Sequence, residues 1–281
     1  MNQARTYPQG VTSWVDVECR DMEAAMAFYG GLFGWTFADA PSSGTENRSV
    51  IAKLGGAEAA GVTASVDRPS EQAVWRTYVA VDDADAAAAR IVAAGGLLLD
   101  KPTQVGEEGR SVTCSDPLGV SFRLWQARRR LGAQVANTPG AWNFSELHTA
   151  DPATSAAFYS EVFGWSFDDL GFATLIRVPG YGDHLKSTVD PDIYARQEGV
   201  VAPPGFADAT AWLTPVGPDE EPHWHVAFTV ADRDTTATTA SRLGGTVLKS
   251  SDSDWTRDAL IRDPQGAVFT ASQFTPPTGE R

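Results

Sequence analysis

Glu146 and His148 stand two residues apart in the segment FSELHTA, and His223 and His225 flank a tryptophan in HWHVAF. Both segments read as strands, where residues two apart share a face. A carboxylate beside imidazoles is a natural general acid/base set near neutral pH, so Glu146, His148 and His225 are the candidate catalytic residues. The same groups can instead hydrogen-bond a ligand or one another. The four histidines, His148, His184, His223 and His225, offer a metal site as a further option. Imidazole pairs at this spacing more often line a pocket than ligate, so no metal ligand and no cofactor are assigned. Cys19 and Cys114 lie in apolar, strand-like contexts without a CxxC spacing, which predicts buried thiols rather than a disulfide or zinc site.

The elements that carry these residues occur twice. Residues 14–37 align without a gap to residues 144–167, 78–96 to 227–245, and 115–122 to 262–269. The offset grows along the chain, so the second half carries about nineteen extra residues, assigned to a Pro/Gly-rich surface loop within 179–222. Such a loop reads either as a lid over a site or as decoration, with the lid preferred. Each half runs as a short alternating strand, an amphipathic helix and further strands, then a second strand and helix, then strands around a DPxG turn. That is a pair of βαβββ-like units per half and an α+β class. In the first helix Met22, Ala25, Met26, Tyr29, Leu32 and Phe33 share a 3.6-residue face behind an N-capping Asp21. Its counterpart starts Asp151-Pro152, and the second helices end at Gly95-Gly96 and Gly244-Gly245.

The 281 residues divide into a module over 8–127, a linker over 128–139 and a second module over 140–275. A formal charge of -14 opposes phosphate backbones and anionic lipid, which argues against nucleic-acid and membrane partners. Arg128-Arg129-Arg130 reads as a solvated stretch of linker. The sequence shows no run of membrane-spanning length and no apolar signal core after Met1, so a cytoplasmic location is expected.

The strand, then the D-x6-F-Y-x3-F-G-W helix, the V-x-D-x-D helix and the D-P-x-G strand together resemble the vicinal oxygen chelate superfamily. That superfamily includes glyoxalase I, bleomycin-resistance proteins and extradiol dioxygenases. The tandem FGW arrangement further resembles a two-module actinobacterial branch, often labelled hydroxylase or glyoxalase-like, with members in anthracycline-type biosynthetic clusters. The resemblance implies two glyoxalase-like modules, each a cupped mixed sheet, and a divalent metal held from the first, fifth and last strands. Those positions fall on Trp14, Arg76 and Arg123 in the first half and on Phe144, His225 and Thr270 in the second. Only His225 is a ligand type, and a guanidinium opposes a cation.

By strand alternation Trp14, Asp16, Glu18, Arg76, Tyr78, Ser121, Arg123 and Trp125 line the first cup. Phe144, Glu146, His148, His223, His225, Thr270 and Ser272 line the second. The charged first-half residues either bind a ligand or pair with one another. Trp14, Trp125 and Phe144 suit a flat aromatic ligand. The expectation is a metal-independent protein that binds a hydrophobic, aromatic polyketide-like molecule and converts it by acid/base chemistry in secondary metabolism. A sequestering resistance protein and a metal-dependent glyoxalase- or dioxygenase-like enzyme are the alternatives. The resemblance leaves a monomer or a homodimer open, with a partner oxygenase if oxidation occurs.

Overall fold

The protein is seen in a computed structural model that describes residues 4–40, 48–65, 72–171, 173–199, 202–217 and 220–276. The first repeat runs β1 (Thr12–Cys19), α1 (Met22–Phe33), β2 (Thr36–Asp39), β3 (Ser49–Leu54), β4 (Ala57–Ala64), β5 (Val74–Ala80), α2 (Ala84–Ala93), β6 (Leu97–Leu98), β7 (Thr103–Val105), β8 (Gly109–Ser115) and β9 (Ser121–Ala127). The second runs β10 (Trp142–Thr149), α3 (Pro152–Phe163), β11 (Ser166–Asp169), β12 (Thr174–Arg177), α4 (Tyr181–Ser187), α5 (Ile193–Gly199), β13 (Ala209–Pro215), β14 (His223–Thr229), α6 (Arg233–Arg242), β15 (Thr246–Asp252), β16 (Thr256–Arg262) and β17 (Val268–Phe274). The fold is mixed α+β with two curled mixed sheets, each a half-barrel-like cup. One has the order β2-β3-β4-β1-β5-β9-β8-β6, with β7 on β8; the other is β11-β12-β13-β10-β14-β17-β16-β15. Within each sheet β1 with β4, β5 with β9, β10 with β13, and β14 with β17 are parallel.

Local chemistry sets the helix ends. Asp21 accepts from the Ala24 N–H at 2.9 Å and Asp151 from the Ala153 N–H at 3.0 Å, each satisfying a donor that the first turn leaves unpaired. α2 closes through Gly95, at φ 89°, and Gly96, whose N–H reaches the Ile91 carbonyl at 2.9 Å. That six-to-one bond is the Schellman closure. Gly96 has a second reason to lack a side chain, because a Cβ there would lie 2.6 Å from the Ser115 carbonyl oxygen. The buried face of α1 is Met22, Ala25, Phe28, Tyr29 and Phe33. Phe28 takes the place that the helical spacing gives to Met26 and Leu32, which stay half-exposed.

Packing divides the chain into two compact units that cut across the repeats. One comprises Met1–Ser13, Thr77–Gly132 and Ser145–Trp224; the other comprises Trp14–Arg76, Ala133–Phe144 and His225–Arg281. Each thus combines parts of both repeats. In the second-named unit Tyr29, Phe33, Trp35, Phe228 and Phe269 form one aromatic cluster, and the buried Tyr29 hydroxyl donates to Asp263 of the DPQG turn at 2.9 Å. In the first-named unit Phe122, Tyr159, Phe163, Trp165 and Trp224 repeat the cluster, and Tyr159 reaches Asp116 of the DPLG turn at 3.4 Å.

The 179–222 stretch corrects the sequence reading of a surface loop. Between β12 and β13 it forms α4 and α5 and then supplies β13 itself, and Tyr181, Leu185 and Ile193 are buried in the core of their unit. In the first repeat the same connection, β3 to β4, is the two-residue turn Gly55-Gly56. The apolar spacing of Tyr181 and Leu185, one helical turn apart, outweighs the Pro/Gly punctuation around them. His184, on α4, bonds the N-terminal segment through the Thr6 hydroxyl at 3.0 Å. Residues 200–201 and 218–219 of this stretch, and 277–281 of the tail, lie outside the described residues. Cys19 and Cys114 are buried free thiols, each pushed up to about 12 by burial. Among the described residues no helix is long and apolar enough to cross a membrane.

Candidate functional site

β10 has two distinct faces. Ser145, Leu147 and Thr149 are buried, while Phe144, Glu146 and His148 are part-exposed. In the parallel register with β13, Glu146 stands beside Trp212 and His148 beside Thr214, and paired residues project from one face. The Trp212 and Phe206 rings lie 6.1 Å apart, so an aromatic wall adjoins the carboxylate. His223, at the start of β14, brings its ring to 4.7 Å from that of His148.

Glu220 completes the group. It lies between β13 and β14, where the Gly217 N–H donates to its Oε2 at 3.2 Å, and its Oε1 is in contact with His148 Nδ1. On the other side His148 Nε2 is 3.4 Å from Glu146 Oε2. His223 Nδ1 is 2.9 Å from the Glu221 carbonyl oxygen and 3.7 Å from Glu220 Oε1. Both nitrogens of one imidazole therefore face carboxylate oxygens. Burial alone would lower the pKa of His148, but hydrogen bonds to Glu146 and Glu220 outweigh it and raise the value above 6.5. For Glu220 burial acts upward, and the His148 bond and the Gly217 N–H bring the net below 4.5. His223 moves below its ordinary value through burial, reinforced by the neighbouring His148 charge and partly offset by the Glu221 carbonyl. His148, Glu220 and His223 each offer a donor atom within 4.8 Å of the others.

The structure brings together Glu146, His148 and His223 of the residues singled out by sequence, and adds Glu220, Trp212 and Phe206. The acidic run before HWH was the one signal for Glu220. His225 and Thr270 form a separate pair, with the buried His225 Nε2 at 2.8 Å from the Thr270 hydroxyl. The part-exposed Phe144 lies two residues before Glu146 on β10, and Ser272 is buried on β17.

In the first repeat Trp14 and Asp16 are buried, and the Thr63 hydroxyl donates to Asp16 Oδ2 at 3.2 Å. Opposite Asp16 on β4 is Gly61, where a Cβ would come within 2.7 Å of the Asp16 Cβ. Arg76 Nε donates to Glu18 Oε2 at 3.0 Å. Arg123 donates to the Tyr78 hydroxyl at 2.8 Å and its guanidinium lies 5.5 Å from that ring. Ser121 is part-exposed on β9. Trp125 gives its indole N–H to the Arg130 carbonyl, and the Arg130 guanidinium covers the ring at 4.5 Å. Trp125 also borders a cavity of about 270 Å³ with Thr6, Tyr7, Asp82 and Leu131. That cavity holds no imidazole and is smaller than a usual small-molecule pocket.

Residues 14–125 and 144–272 both match the glyoxalase-like domain family. A Mycobacterium tuberculosis protein named "Putative glyoxylase CFP32" is 32% identical over 280 residues, 98% of this chain and 99% of its own. Anthracycline biosynthesis protein DauV of Streptomyces sp. strain C5 is 30% identical over 281 residues, 95% of this chain and 94% of its own. Among solved structures, the Mn(II)-bound glyoxalase of Novosphingobium aromaticivorans matches with a TM-score of 0.61 at 16% identity, covering 98% of this chain and 86% of the other. The 2,3-dioxygenase LapB of Pseudomonas sp. KL28 matches at 0.60 and 13%, covering 97% and 96%. At those identities the shared property is the fold.

Such relatives raise the question of a metal at the positions implied by the first, fifth and last strands, and the residues there do not fit one. Arg76 is ion-paired with Glu18 and Arg123 is bonded to Tyr78, so the first repeat presents two guanidinium cations and an indole. In the second repeat Phe144 offers no donor and His225 is engaged by Thr270.

Proposed function

The chain belongs to the glyoxalase-like domain family, and on that footing we propose that its second repeat binds a flat, hydrophobic, aromatic polyketide-like molecule and converts it by proton transfer, in secondary metabolism. The observation that carries this reading is His148, held between two carboxylates on a part-exposed face beside Trp212. The Trp212 and Phe206 rings supply an apolar surface for a planar ligand. Glu146, beside Trp212 and 3.4 Å from His148 Nε2, exchanges a proton with a carbon or oxygen acid of that ligand and passes it to or takes it from His148. Glu146 and Glu220 hold the ring and stabilise the imidazolium as it forms. The kinship with an anthracycline biosynthesis protein supports an aromatic polyketide as the ligand class. The chemistry requires no metal, because no step leaves the imidazole and its carboxylates.

The test is to mix the purified protein with a panel of aromatic polyketides and measure binding by fluorescence and products by mass spectrometry, with and without a chelator. Conversion that survives chelation and is lost in His148→Gln, with binding retained, is the expected outcome. Stoichiometric binding with the ligand recovered unchanged would assign a sequestering protein instead, and absence of binding across the panel refutes the ligand class.

A further inference from the structure

We propose that His148, Glu220 and His223 form a binding site for a divalent first-row transition ion, displaced along the strands from the positions at which the family resemblance places a metal. His148 is four residues beyond Phe144 on β10, and His223 precedes His225 by two on β14. This inference stands on the geometry of the cluster and holds independently of the small-molecule reading.

A carboxylate only accepts, and a neutral imidazole has one N–H and one acceptor nitrogen. In the neutral tautomer that directs Nε2–H at Glu146, the Nδ1 lone pair of His148 points at the Glu220 oxygen with which it is in contact; the other tautomer donates Nδ1–H to that oxygen. Two acceptors in contact require a positive particle between them, either a proton on the ring or a metal ion. His223 is the second observation: one donor atom of each of the three residues lies within 4.8 Å of the others, and His223 Nδ1, 3.7 Å from Glu220 Oε1, becomes a ligand when its proton moves to Nε2 and the bond to the Glu221 carbonyl is given up. Ligands around a tetrahedral ion with bonds of about 2.0–2.2 Å stand roughly 3.3 Å apart. The adjustment falls on Glu220, a half-exposed side chain on a connecting segment.

Two imidazoles and one carboxylate suit zinc, iron, cobalt or nickel, and three protein ligands leave a position open to water. Glu146 stands behind Nε2 of His148, where a carboxylate fixes the ring tautomer and raises ligand basicity. With neutral imidazoles the cluster carries the two negative charges of Glu146 and Glu220, which a dication balances. The ion and the transferred proton use the same imidazole, so the ion-loaded site is closed to proton transfer.

The experiment is zinc titration of the full-length, metal-stripped protein by calorimetry and by competition with a chromophoric chelator, in the absence of any organic ligand. One equivalent should bind at micromolar or tighter affinity. Glu146→Gln should weaken it by about 10–100-fold, and His223→Ala and Glu220→Gln by at least as much, while His184→Gln leaves it unchanged. Circular dichroism and urea midpoints of the same variants separate lost ligation from lost folding, and Glu220→Gln, on a connecting segment, keeps the test valid if His223→Ala unfolds. Absence of zinc binding, or binding that survives both His223→Ala and Glu220→Gln, overturns the site. Either result leaves the chelator-resistant conversion to be judged by its own assay.

Discussion

Tyr29→Phe removes one oxygen atom from the core of the unit that contains Asp263. Both residues are buried, at 0% and 4% exposure, and the hydroxyl donates to Oδ2 at 2.9 Å while Gln265 and Ala267 N–H groups serve Oδ1. A hydrogen bond to a charged group contributes about 1.5–3 kcal/mol net, against about 1 kcal/mol for a neutral acceptor. The loss at neutral pH should therefore be about 2 kcal/mol. Its pH dependence has a definite sign. Burial raises the folded pKa of Asp263 above 3.8, with the Tyr29 bond pulling the other way. A raised carboxyl pKa means that the folded state binds more protons, so Asp263 weakens folding as pH rises from 3.8 through the folded value. Without the Tyr29 donor the folded value rises further, so the deficit of the variant widens across that window and then stays constant. Urea unfolding followed by tryptophan fluorescence at about pH 4 and at neutral pH measures both ends. A deficit that is equal at the two pH values, or below about 0.5 kcal/mol at neutral pH, refutes an ionised Asp263 stabilised by Tyr29. Tyr159→Phe, whose contact to Asp116 is longer at 3.4 Å, should show a smaller pH-dependent part.

Three further outcomes are expected. Leu185→Ala should lower stability by about 2–5 kcal/mol, as for a core leucine, and not by the few tenths of a surface loop; the urea midpoint decides. Gly96→Ala should cost about 1–3 kcal/mol because its Cβ meets the Ser115 carbonyl, whereas Gly95→Ala, whose Cβ would make only an ordinary contact with Pro117 at 3.9 Å, should cost only the left-handed backbone penalty of about 1–2 kcal/mol. Trp212→Ala should weaken an aromatic ligand by about tenfold, in line with aromatic contacts of about 0.5–1.5 kcal/mol, without shifting the unfolding midpoint by more than a surface substitution does; fluorescence titration and unfolding together check it.

What the sequence made legible was local or repeated. Asp21, Asp151 and the paired glycines announce helix ends because capping needs only neighbours in the chain. The FY and DPxG segments appear twice, and duplication turns weak patterns into an α+β plan. The 179–222 stretch was misread because proline and glycine mark helix starts as well as loops, and the anchors Tyr181, Leu185 and Ile193 are few. Glu220 stayed hidden because its meeting with His148 depends on the register of β10 against β13, which no spacing along the chain encodes. Sequence grouped His225 with Glu146 and His148 through strand alternation. Alternation assigns a face but not a partner, and the structure bonds His225 to Thr270.

The two compact units, each drawn from both repeats, make the half-chains mutually dependent. Tyr29 belongs to the first repeat and its acceptor Asp263 to the second, while Tyr159 and Asp116 reverse the arrangement. A fragment ending near residue 132 carries two of the three segments of one unit and one of the three of the other, and completes neither. Expressed apart, the halves should be insoluble or swap into dimers, and expressed together they should complement one another. Duplication has thus given this chain two similar sequences without giving it two independent folding units.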